Sequence, residues 1–120
     1  RTMRHAWSDG PGAGSSEPAV IDGATCACCW NRLVTGEDGA VYALYRDEVP
    51  RDMAAAVLEP GAKEWRALGR AGAFGWIVEG CPHVGGGLAA TGTGRFRSLH
   101  ATVWTAQEDA IGRRIGVPFG

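Results

Sequence analysis

The sequence predicts an all-β fold, and three observations carry that prediction. Glycine and proline are abundant, with 19 and 6 in 120 residues, a composition that opposes long helices and favours short strands joined by tight turns. Short runs rich in β-branched and aromatic residues recur between clusters of turn formers. A pattern also repeats at a spacing of 55 to 58 positions, so one unit of structure is used more than once. With 45% hydrophobic residues, the chain has apolar material for the core of one modest domain.

Along the chain, Thr2 to Ser8 lacks a helix start signal and leads into Asp9-Gly10-Pro11-Gly12-Ala13-Gly14-Ser15-Ser16, which reads as a hairpin loop. A short strand, Pro18 to Ile21, follows and is closed by Asp22-Gly23. Arg32 to Thr35 is the next strand. Its Gly36-Glu37-Asp38-Gly39 ending carries an Asp-Gly hairpin signal, which makes Ala40 to Tyr45 the antiparallel partner. Met53 to Leu58 contains helix formers but spans only about two turns before Glu59-Pro60-Gly61, so it is read as a strand. Glu64 to Gly69 alternates polar and apolar residues at a period of two.

The second half repeats the pattern. Gly87 to Ala90 is a strand, Thr91-Gly92-Thr93-Gly94 a turn and Leu99 to Trp104 a strong strand, followed by the polar loop Thr105 to Asp109 and a strand over Ile111 to Val117. Leu33 aligns with Leu88, and Val41 to Tyr45 with Leu99 to Val103. Repeats of this order, each a four-stranded unit, mark β-propeller blades. The chain divides into the end of one blade (residues 2–21), a full blade (26–70) and most of a third (77–117), about two to two and a half blades in all. Propellers need about four to eight blades to close. The expectation is a fragment of a longer chain, its ring completed by other blades of the same parent chain or by a homo-oligomer.

Charge and hydropathy exclude some partners. The net charge is −1, from 12 basic and 13 acidic side chains without a block of like charge, which argues against nucleic-acid and membrane-surface binding. No stretch approaches the roughly 18 apolar residues of a membrane span, and Arg1 to His5 lacks the apolar centre of a signal peptide.

Four cysteines stand out: Cys26, Cys28 and Cys29 in one cluster, and Cys81 beside His83 in Gly80-Cys81-Pro82-His83. The motifs Cys26-x-Cys28-Cys29-Trp30-Asn31, Val41-Tyr42-x-x-Tyr45-Arg46-Asp47, Pro50-Arg51-Asp52-Met53 and Gly80-Cys81-Pro82-His83-x-Gly85 resemble a group of exported bacterial proteins in the sialidase-like, BNR-repeat β-propeller superfamily. The resemblance spans Ala6 to Thr105. It implies a periplasmic or extracellular location and an Asp-box turn between the third and fourth strands of each blade. Ser8-Asp9-Gly10-Pro11-Gly12 and Leu58 to Trp65 stand at those turns in degenerate form.

Propeller topology brings the loop entering a blade's first strand and the loop leaving its second to the same face. Cys26 to Asn31 and Cys81 to Gly86 are entry loops; Arg46 to Asp52 and Thr105 to Asp109 are exit loops. Three chemistries are open for the cysteines. Two disulfides would staple the loops, with Cys81 joined to Cys28 or Cys29, since a bridge between the neighbours Cys28 and Cys29 would be strained; closing a loop of about 50 residues stabilises by a few kcal/mol. A copper or zinc site would combine thiolates with His83, although the cluster is read as Cys-x-Cys-Cys rather than a zinc knuckle. A redox-active thiol pair is third, because no lysine or helix N-terminus stands nearby to lower a thiol pKa.

The preferred expectation is a non-catalytic module with a Cys/His-lined pocket, disulfide-stapled or metal-binding, in which Arg46, Arg51, His83 and Trp30 contact a carbohydrate or other small ligand. The alternative that the resemblance implies is a sialidase-type exo-glycosidase for acidic sugars. In that case Asp47 or Asp52 serves as the carboxylate and Arg46 or Arg51 clamps the acid group.

Overall fold

The Asp38-Gly39 turn shows how local sequence sets the sheets. Gly39 takes a positive φ of 88°, its N–H donates to the Gly36 carbonyl at 3.0 Å, and Gly36 donates to Ala40 at 2.7 Å. This closes a tight hairpin between β3 (Arg32–Thr35) and β4 (Val41–Arg46). The structure, a computed structural model, describes residues 1–26, 29–78, 80 and 82–106, and the backbone of 117–119. Within these residues the other strands are β1 (Met3–His5), β2 (Ala19–Asp22), β5 (Met53–Leu58), β6 (Arg66–Arg70), β7 (Gly87–Thr91), β8 (Ser98–Val103) and β9 (Val117–Phe119).

All pairings are antiparallel, in three successive sheets ordered β1-β2, β3-β4-β5-β6 and β7-β8-β9. The chain is therefore all-β, and the described residues form no closed barrel, an arrangement compatible with part of a propeller. The internal repeat is visible in the register: Leu33 faces Ala43 in the second sheet as Leu88 faces Ala101 in the third. The connecting turn is longer in the third sheet and holds a single 3-10 turn, Gly94–Phe96, which the sequence reading did not include. Gly72 to Val78 forms no strand, and of the expected strand over 111–117 only Val117 falls among the described residues.

The core lies between the sheets. One face of the second sheet packs Ala43, Tyr45, Ala54 and Ala56 against Met3 and Ile21 of the first. Its other face packs Leu44, Met53 and Ala55 against Ala101, Leu88, Leu99 and Val103 of the third, with Tyr42 and Val57 beside them. Strands covered on both faces lose the alternation of buried and exposed positions, and Met53 to Val57 are all buried. Alanines in β5 let neighbouring sheets approach closely, so a run of helix formers becomes a strand because tertiary burial outweighs local propensity. The outer strand β6 is exposed along its length.

Candidate functional site

The cysteine loop is zipped onto the end of β4. Thr25 bridges Asp47, Cys26 N–H donates to the Arg46 carbonyl at 3.0 Å, and Thr25 N–H donates to the Arg1 carbonyl at 2.8 Å. Cys26 and Cys29 are buried and held as thiols, hydrogen-bonded to each other, and Cys29 also accepts the backbone N–H of His83. Burial and the Cys26 contact push the Cys29 thiol up, opposed by that N–H and by the Arg46 guanidinium. Read from position 26 to 29, the pair has Cys-x-x-Cys spacing, a feature the Cys-x-Cys-Cys reading passed over.

Arg46 is the centre of this end of the molecule. It is 1% exposed, yet its donors reach three backbone carbonyls: Val84 at 3.3 Å, Trp104 at 2.9 Å and Arg51. Its guanidinium also lies 5.3 Å from the ring centre of Trp76, which meets Trp104 edge to face at 5.5 Å. Burial pulls the guanidinium below its ordinary value, opposed by the neighbouring Cys29, Cys26 and Asp52. One side chain thereby joins the exit loops of β4 and β8 to the entry loop of β7.

Asp52 is equally committed. It is 2% exposed and accepts N–H bonds from Gly75 at 2.7 Å and Trp76 at 3.1 Å, with Arg70 3.8 Å away. Asp47 pairs with Arg70 at 3.5 Å; burial and Asp22 push its carboxyl up while Arg70 pulls it down. Asp22 also accepts the Tyr45 hydroxyl at 2.9 Å. Neither Asp47 nor Asp52 lines the cleft beside Trp30 and His83 or the cleft at Cys26 and Cys29. Arg51 is half-buried, and its N–H donates to the Trp76 carbonyl at 2.5 Å.

The exposed His83 has a positive φ of 54°. With Trp30, which is 71% exposed, it lines a cleft of about 360 Å³ between the two entry loops, floored by Gly85 and Gly86. A Cβ on Gly85 would lie 3.0 Å from the Trp30 carbonyl oxygen, and one on Gly86 would lie 2.4 Å from that of Thr102. These glycines permit close approach of the loops. A separate cleft of about 490 Å³ reaches the thiols and is lined by Arg1, Thr2, Met3, Thr25, Cys26, Cys29 and Asn31.

Thus Cys26, Cys29 and the His83 backbone come together, while the His83 imidazole lines the other cleft. A Cys29–Cys81 bridge, one pairing the sequence left open, is not made; Cys28 and Cys81 lie outside the described residues. Among the described residues, no three His, Cys, Asp or Glu side chains cluster as a metal site. No family model, curated protein or solved structure matches the chain, so its chemistry is read from this geometry.

Proposed function

We propose that the chain is a segment of a sialidase-like β-propeller acting as a non-catalytic binding module, with the loops carrying the cysteines and His83 as its site. The observation that carries this reading is the buried Cys26–Cys29 thiol pair, tied by the His83 N–H to the entry loop of the next sheet. A thiol pair in one loop, held against the entry loop of the next sheet, suits either a staple or a bound metal ion such as copper or zinc. Other blades of the parent chain, or further copies of it, complete the ring, and the module works outside the cytoplasm. The cleft beside Trp30 offers an exposed indole and the His83 imidazole to a carbohydrate or other small ligand.

A non-catalytic role is favoured over glycoside hydrolysis. A glycosidase of this kind needs two carboxylates flanking a sugar-sized cleft, whereas Asp52 directs both oxygens to backbone N–H groups and Asp47 faces Arg70. The test is intact-mass measurement after thiol alkylation, with and without reductant, beside elemental analysis. Bridged cysteines or a stoichiometric metal are expected; four alkylatable thiols with no metal would remove the reading. Turnover of acidic-sugar glycosides that is lost in Asp47→Asn would replace it with the hydrolase.

A further inference from the structure

We propose that Cys26, Cys29 and Met3 form an all-sulfur site for a soft monovalent cation, copper(I) in particular, between the first sheet and the cysteine loop. The assignment rests on the module reading above in its metal-bound form and changes its ligands: the thioether of Met3 takes the place assigned to the His83 imidazole.

Three features of the site converge on this chemistry. The thiols already touch, so one ion can bridge them. Met3 lines the same cleft, and the β1–β2 register shifts between Met3 and Arg4, the kind of irregularity that re-aims a side chain next to a site. The strand is anchored there by the bonds from Thr25 to the Arg1 carbonyl. Two thiolates and a thioether are soft ligands that select copper(I).

Charge separates copper(I) from zinc. Two thiolates around a monovalent cation carry a net charge of −1, which the adjacent buried Arg46 guanidinium matches. The donors of Arg46 end on neutral carbonyls, and among the described residues no carboxylate lies within ion-pair distance of it. Zinc between the same thiolates would give a neutral unit that adds no counter-charge beside Arg46, and its tetrahedral preference asks for further ligands. Binding is a ligand exchange without electron transfer: Cu⁺ displaces one proton from each thiol, forms two S–Cu bonds and releases two protons through the cleft to solvent. Met3 adds a neutral third donor.

The experiment titrates the reduced, anaerobic full chain with copper(I), supplied as its acetonitrile complex, against a chromophoric copper(I) chelator. One equivalent should be retained, and more tightly as pH rises. Cys26→Ser and Cys29→Ser should each lose it, and Met3→Leu should shift the competition toward the chelator, with circular dichroism reporting that each variant is folded. X-ray absorption at the copper edge should show sulfur neighbours alone. Nitrogen in that shell, retention by the folded Cys26→Ser variant, or zinc held in preference with the same cysteine dependence would each overturn the assignment. If copper(I) depends instead on Cys28 and Cys81, this site fails while the module reading stands; four alkylatable thiols without metal removes both.

Discussion

Arg46 illustrates how one buried charge organises a face of this molecule. Leaving a buried carbonyl without a donor costs about 1–3 kcal/mol, and Arg46 supplies donors to the carbonyls of Val84, Arg51 and Trp104. Arg46→Met should therefore lower stability by roughly 3 kcal/mol or more, measured as a fall in denaturant midpoint. Arg46→Lys should recover little, because a compact ammonium cannot reproduce the planar fork. Tyr45 gives a second prediction. Burial and the bond to Asp22 raise its hydroxyl above the ordinary value of 10.0, so the folded state holds that proton more tightly than the unfolded one. The stability this provides is complete below pH 10 and falls as the pH rises through the window above it. Tyr45→Phe should be about 1 kcal/mol less stable at neutral pH and show a flatter alkaline limb in pH-dependent unfolding.

Among the elements, the β7–β8 hairpin depends on the absence of side chains in the loop before it. A Cβ on Gly86 would lie 2.4 Å from a backbone oxygen of β8 and 3.0 Å from the Leu44 side chain, and a backbone atom cannot swing away. Gly86→Ala should cost about 1–3 kcal/mol, with faster amide exchange in β7 and β8 than in β3. The β3–β4 hairpin was fully legible, because its turn chemistry and strand pattern are local. Strand β5 was legible in extent, but its mostly alanine composition makes sense only once sheets are seen on both sides of it.

For the molecule as a whole, the three sheets make a row measuring 52 × 33 × 21 Å with a radius of gyration of 15.3 Å, against about 13.6 Å for a compact chain of this length. The second and third sheets are clasped outside the core by Arg97, which bonds Glu59 through two nitrogens at 2.8 and 3.1 Å and reaches the Tyr42 hydroxyl at 2.7 Å. Arg97 and Arg66 hold the Glu59 carboxyl below its ordinary 4.5. The clasp's contribution is present above that value and is lost as pH falls through the lowered one. Arg97→Ala should weaken this acid dependence, with Arg66 still paired to Glu59, and speed exchange in β7 and β8, leaving β4 and β5 protected. Hydrogen exchange in moderate and in high salt checks it, because an exposed pair weakens with ionic strength.

By itself the sequence determined the strands, the Asp38-Gly39 hairpin and the internal repeat, because glycine placement and side-chain alternation act over a few residues. Tertiary structure decided what those strands surround. Residue type marked Arg46 as a candidate ligand-binding group and Asp52 as a candidate catalytic carboxylate, and only the packing of loops from several strands turned them inward, where buried carbonyls and N–H groups needed partners. The same packing brought Cys26 and Cys29 into contact and set Met3 on their cleft, since proximity between a terminal strand and a loop more than twenty residues away is a property of the folded sheets and is written in no local motif.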